Sequence, residues 1–149
     1  MKLIAYEKST DIIAMFAIKT SVLCVHSTGL IQVSREDLST KTGYQVFGVQ
    51  DSSGIMVGAL DLVFSRKHGT VKGGLFLEKG PVKLAEVCLA VKKMVDQAGL
   101  AKISLSLLCG EDGVADTMKE VGFLPEVKRR ADLFIAGSLF SVTEYGCVL

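Results

Sequence analysis

Apolar and polar residues along this chain follow two periods, near 2 and near 3.6, and the switches between them outline its elements. A short strand is expected over Lys2 to Tyr6. Ser9, Thr10 and Asp11 then offer helix-capping side chains just before the apolar run Ile12 to Ile18. Gly29 ends that segment. Ser34-Arg35-Glu36-Asp37, with an acidic residue three positions after the serine, marks a short second helix through Leu38. The middle of the chain is β-rich: Tyr44 to Gln50 and Ile55 to Phe64 are joined by Asp51-Ser52-Ser53-Gly54, a hairpin signal. A third strand of this meander, about Thr70 to Leu77, follows the polar turn Arg66-Lys67-His68-Gly69. Its adjacent Gly73 and Gly74 point to a bulge or a close backbone approach.

The most regular helix comes next. Leu84, Val87, Cys88, Val91, Met94, Val95 and Ala98 form one apolar stripe, opposite Lys83, Glu86, Lys93 and Gln97. Pro81 suits its first turn and Gly99 its C-terminal cap. A strand from Lys102 to Leu108 leads through Cys109-Gly110-Glu111-Asp112 into a short helix with Val114, Met118 and Val121 on one side, closed by Gly122. Ala131 to Gly146 reads as a hairpin turning near Ala136-Gly137-Ser138. The order β-α-α-β-β-β-α-β-α-β-β mixes antiparallel hairpins with one helical crossover, which is the α+β class and not a doubly wound sheet. No repeat or linker interrupts the 149 residues, so residues 1–149 are expected to form a single domain.

Composition sharpens this picture. Hydrophobic residues make up 49% and charged residues 22%, with a mean hydropathy of +0.41, which excludes a disordered chain and raises the question of a membrane span. The longest run without charge, Thr20 to Ser34, contains His26, Gly29 and Gln32 and is closed by Lys19 and Arg35. It falls short of the ~20 apolar residues that a spanning helix needs. Met1 to Lys8 lacks the pattern of a secretory signal, so a cytoplasmic protein without a membrane partner is expected. A net charge of +1 argues against a nucleic-acid partner, which would call for a basic surface. Cys24, Cys88, Cys109 and Cys147 form no C-x-x-C pair, so they read as buried small hydrophobes and no metal site is expected. Of the two histidines, His26 has apolar neighbours and His68 lies in a polar turn near the region expected to receive a substrate.

Three stretches carry a family resemblance. Ala98-Gly99-Leu100-Ala101-Lys102-Ile103-Ser104-Leu105-Ser106-Leu107 looks like the turn from the central helix into the fifth strand of the GNAT acetyltransferases. Val121-Gly122-Phe123-Leu124-Pro125-Glu126 is similar to that family's helix-ending Leu-Gly-Phe followed by a small acidic loop, and Arg130, Gly137 and Gly146 keep the spacing around its final hairpin. From about Tyr44 onward the chain resembles this family, which implies a mixed, mostly antiparallel sheet flanked by helices. It also implies that acetyl-CoA binds where the fourth strand splays from the fifth, its pyrophosphate on a Gly-rich turn at the central helix N-terminus. Unpaired N–H groups and the helix dipole favour an anion there. The corresponding stretch is Glu78-Lys79-Gly80-Pro81-Val82-Lys83-Leu84. By resemblance, Lys79, Gly80, Val82, Lys83 and Leu84 would hold the pyrophosphate, and Leu75, Phe76 and Leu77 would align the thioester. Val82 and Leu84 depart from the family's small residues, and Pro81 removes one donor.

Acyl transfer to an amine requires a deprotonated amine, a donor for the tetrahedral oxyanion and often an acid for the departing thiolate. The resemblance assigns the donor to a backbone N–H within Leu75 to Leu77. It places Met118 where family members often have a proton-donating Tyr, and Glu111 where they often have an Asn that contacts pantetheine. Asp61, Glu78 and Glu111, or Asp112 beside it, are the candidate bases. Two functions follow: an acetyl-CoA-dependent N-acyltransferase acting on a small-molecule or protein amine, or a non-catalytic GNAT-like domain serving as an interaction or regulatory module, with a homodimer as its expected assembly.

Overall fold

The computed structural model describes residues 1–6, 43–77, 81–108, 113–135 and 138–149. The helices expected between Ser9 and Leu38 lie outside these residues. The described strands are β1 (Lys2–Tyr6), β2 (Tyr44–Gln50), β3 (Met56–Ser65), β4 (Thr70–Leu77), β5 (Lys102–Leu108), β6 (Leu124–Ile135) and β7 (Ser138–Val148), with helices α1 (Pro81–Gln97) and α2 (Val114–Glu120). Among the described residues they form one sheet of seven strands in the order β1-β2-β3-β4-β5-β7-β6. Only β4 and β5 pair in parallel; every other neighbouring pair is antiparallel. This is the mixed, mostly antiparallel sheet expected of the sequence, and the parallel pair is the one joined by the α1 crossover.

Local chemistry explains where the elements stop. The β2–β3 turn is pinned by Asp51, whose Oδ1 accepts from Ser53 N at 2.9 Å, Ser53 Oγ at 2.6 Å and Ile55 N at 3.0 Å. The Ser53 hydroxyl above all, with the Ile55 amide, holds the Asp51 carboxyl below its ordinary range. Both helices end in a Schellman motif built on the glycine that the sequence offers. Gly99 is at φ +69°, Gly99 N donates to Asp96 O and Leu100 N to Val95 O. In α2, Gly122 is at φ +88°, Gly122 N donates to Lys119 O and Phe123 N to Met118 O, and Lys92 Nζ covers the Val121 carbonyl at 3.0 Å.

The core lies between α1 and one face of the sheet. Ladder register places Leu60 and Leu62 of β3, Val71 and Leu75 of β4, Ile103 and Leu105 of β5, and Tyr145 and Cys147 of β7 on that face. All are buried, as are Leu84, Val87, Cys88, Val91 and Val95 of the α1 stripe. Met94 is partly buried, and Ala98 is exposed just past the helix end.

Two expectations are corrected, and one that left two outcomes open is resolved. β6 begins at Leu124, seven residues before the expected hairpin, so Leu124 to Glu126 is strand and not loop. Its polar run Glu126-Val127-Lys128-Arg129-Arg130 lacks alternation because β6 is the sheet's last strand and stands exposed to solvent. Second, the Gly73-Gly74 pair causes no bulge, since the β3–β4 ladder runs unshifted from Gly58↔Leu77 to Ser65↔Thr70. The close approach is present instead: a Cβ on Gly73 would collide with the Asp61 carbonyl and the Leu62 side chain. Third, His68 sits at the start of β4, ~23 Å along the strand from Leu77 at ~3.3 Å per residue, and so at the end away from the expected substrate region.

The glycines yield a paired prediction. Gly73→Ala meets backbone that cannot move, and overpacking should cost about 2–3 kcal/mol. Gly146→Ala meets only the Glu126 carboxylate, a partly exposed group that can swing away, and should cost under about 1 kcal/mol. Urea denaturation at unchanged m-value measures both.

Candidate active site

The parallel ladder between β4 and β5 runs from Thr70↔Lys102 to Gly74↔Ser106 and stops there. Both strands continue. Leu75, Phe76 and Leu77 stay paired to Leu60, Ala59 and Gly58 of β3, whereas Leu107 and Leu108 stay paired to Thr143 and Val142 of β7. The sheet therefore opens into a wedge beyond Gly74 and Ser106. Along the wedge, the edge of β4 that faces β5 carries backbone groups outside the β4–β5 ladder. Because both strands point the same way and α1 returns between them, the open end of the wedge, the first turn of α1 and the start of α2 share one end of the molecule.

The Leu75 and Leu77 side chains are fully buried, which leaves their backbone as what they can present to a ligand. Phe76 contributes its strand position between them. Val82 and Lys83 belong to the first turn of α1, and Lys83 lies near enough to Asp51 for its charge to help keep that carboxylate ionised. Positive charge is thus present at the N-terminal end of α1. Leu84, for all its bulk, has its side chain in the core. Glu78, Lys79, Gly80, Glu111 and Asp112 lie outside the described residues. Asp61 is in the middle of β3, fully buried, and its Oδ1 accepts the Gly74 N–H at 2.6 Å.

Register puts Asp61, Gly74, Ser106 and Glu144 in one row across β3, β4, β5 and β7, on the last rung before the wedge. Glu144 is held by Lys72 at 3.3 Å and Arg129 at 3.1 Å, so one carboxylate ties β4 to β7 across β5 and also secures β6. Sequence periodicity could not reveal this row, because its members come from four strands.

The position that the resemblance gives to a proton donor is core. Met118 is fully buried and its Sδ lies 3.6 Å from Cys88 Sγ. A thioether has no proton to give. A separate cleft of about 490 Å³, lined by Gln45, Phe47, Phe64, Arg66, Met94 and Leu100, opens at the C-terminal end of α1, away from the wedge. No described helix is long and apolar enough to cross a membrane.

No family model matches the chain, and no curated protein matches it in sequence. Solved structures do match. A mutant form of the spermidine/spermine N-acetyltransferase SpeG from Vibrio cholerae is 16% identical, with a TM-score of 0.74 over 99% of this chain and 92% of that one. A dodecameric structure of the spermidine N-acetyltransferase from the same organism gives the same identity, TM-score and coverage. A chimera of the Vibrio cholerae enzyme and hSSAT is 16% identical with a TM-score of 0.73, over 99% and 96%. At this identity the likeness speaks for the fold, and the fold is that of GNAT N-acetyltransferases.

The sulfur contact generates a pH prediction. Desolvation first, and the nearby Cys147 second, push the Cys88 thiol up from 9.0 to about 12. The neutral thiol is the folded form, while in the unfolded chain it ionises from about pH 9. Its contribution to stability is whole below that pH and is lost as the pH rises toward 12. Unfolding free energy should fall across this window by up to ~1.4 kcal/mol per pH unit, and the difference between the wild type and Cys88→Ala isolates this slope.

Proposed function

We propose that this chain is an acetyl-CoA-dependent N-acyltransferase acting on a primary amine. The observation that carries the reading is the parting of β4 from β5 beyond Gly74 and Ser106, at the same end as the N-terminus of α1. The fit can be judged on two features: β4 offers strand backbone outside the β4–β5 ladder along the wedge, and the first turn of α1 offers N–H groups beside Lys83. Lys79, Gly80, Val82 and Lys83 would hold the pyrophosphate, with Leu84 anchoring the turn from the core side. Acetyl-CoA, when bound, supplies the acyl group as an activated thioester.

The chain's own groups then have separate tasks. A backbone N–H within Leu75 to Leu77 would donate to the thioester carbonyl oxygen as negative charge develops on it, and being part of a strand it would need no reorganisation to do so. Glu78 and Glu111, next to the wedge in sequence, are the proposed bases for the ammonium proton. Met118 gives no proton to the leaving thiolate, so the reaction relies on positioning and on a thiolate that solvent can protonate. For the acceptor, spermidine is the first amine to test, because the structural neighbours are spermidine N-acetyltransferases. We place the protein in the cytoplasm, a reducing compartment that suits the free thiols Cys88 and Cys147.

Met118 also favours a second reading, a GNAT-like domain that has lost catalysis and serves as an interaction or regulatory module, assembled as a homodimer. The exposed Leu124, Val127 and Leu139 on the β6–β7 hairpin would suit such contacts.

Thermal denaturation with acetyl-CoA separates the two. A ligand at ~100 times its dissociation constant adds ~2.7 kcal/mol, a rise of about 5–10 °C at this size. Gly80→Trp should abolish that rise by blocking phosphate approach. Absence of any shift at millimolar acetyl-CoA overturns the enzyme reading, and a strict monomer in light scattering removes the homodimer.

A further inference from the structure

The paired glycines of β4 are unusual for a central strand, and both are explained by one residue of the neighbouring strand. Gly73 has no Cβ where the Asp61 carbonyl passes, and Gly74 stands directly opposite Asp61 in the ladder, so the two residues share a sheet face, and donates its amide to the Asp61 carboxylate. A residue with a side chain at Gly74 would occupy the sheet face that the carboxylate uses. The result is a buried, 2.6 Å hydrogen bond from a backbone amide to a side chain in the middle of a sheet, where amides ordinarily serve the ladder.

Its location is what matters. Gly74 is the last residue of β4 paired with β5. Below this rung Lys72 of β4 is tied across β5 to Glu144 of β7. Above it β4 follows β3 and β5 follows β7. The Asp61 bond thus fastens β4 to β3 at the rung where β4 leaves β5.

We propose that Asp61 is a positioning residue: by taking the Gly74 N–H onto β3 it sets the rung at which the wedge opens, and so the place of the Leu75 to Leu77 backbone that would meet the thioester. This deepens the acyltransferase reading and rests on it for its catalytic consequence. It differs from a role as general base, in which Asp61 would take a proton from the amine. A positioning role needs only an acceptor oxygen, which Asn also provides; a base needs the carboxylate.

The experiment compares Asp61→Asn and Asp61→Ala with the wild type by amide hydrogen exchange of Gly74 to Leu77 and by steady-state kinetics with acetyl-CoA and spermidine. In the wild type the Gly74 amide should be strongly protected. Asp61→Asn should keep that protection and stay within about threefold of wild-type kcat and acetyl-CoA KM. Asp61→Ala should exchange at Gly74 to Leu77 at least about a hundredfold faster, leave Val71 and Ile103 unchanged, and lose about tenfold to a hundredfold in kcat/KM, the scale of a misplaced reacting group. Equal loss in Asp61→Asn and Asp61→Ala overturns the proposal in favour of a base. Unchanged kcat/KM per folded molecule in Asp61→Ala overturns it in favour of a merely structural role. If the wild type neither binds acetyl-CoA nor turns over, the acyltransferase reading fails on its own, and exchange at Gly74 decides the role of Asp61. Should Asp61→Ala not fold, an unprotected Gly74 amide in the wild type, or its loss of protection in Asp61→Asn, overturns the proposal.

Discussion

The rest of the structure depends on β4 pairing with two strands over unequal lengths. Toward β3 its ladder is continuous to Leu77; toward β5 it ends at Gly74. A strand inside a sheet normally satisfies backbone groups on both edges, so an edge released for three residues is a cost the fold must offset. The offset is visible on either side: Leu75 and Leu77 are locked into the core beneath α1, and β5 is held by its antiparallel ladder to β7 up to Val142. Each jaw of the wedge is thus anchored away from the gap.

The parallel geometry of that one pair also places the helix. A crossover from the end of β4 to the start of β5 must travel the length of the sheet, and α1 does so with its apolar stripe against the core. Its N-terminus, where N–H groups lack intrahelical partners, is thereby delivered to the open end of the wedge. The Schellman turn at Gly99, with the Ala101 and Lys102 amides donating to Gly69 O, fixes the other end of the crossover beside the β3–β4 turn. Anion-favouring backbone and the strand edge outside the β4–β5 ladder meet because of connectivity, without any dedicated side chain.

The departures at Leu84 and Met118 also take on different meanings in three dimensions. Leu84 looks obstructive when read along the sequence, yet its side chain is part of the core. Met118 remains a true departure. It packs on Cys88 in the seam between α1 and α2, where a buried phenol would need a hydrogen-bond partner and a thioether needs none.

Much of this was legible along the chain. The strands at Lys2 to Tyr6, Tyr44 to Gln50, Thr70 to Leu77 and Lys102 to Leu108, the α1 stripe and the glycine stops at Gly99 and Gly122 are local features, written in periodicity and in residues that tolerate positive φ. β6 was not legible before Ala131, because an exposed edge strand has no buried face to impose alternation. Gly73 and Gly74 announced a close approach but not its partner. What approaches them is Asp61, thirteen residues before Gly74 and brought opposite it only by the β3–β4 register. The sequence by itself determined most of the described elements and their order, since these follow from local pattern. Where β4 and β5 part, and which carboxylate stands at that rung, only the tertiary structure decided, because both depend on register between strands.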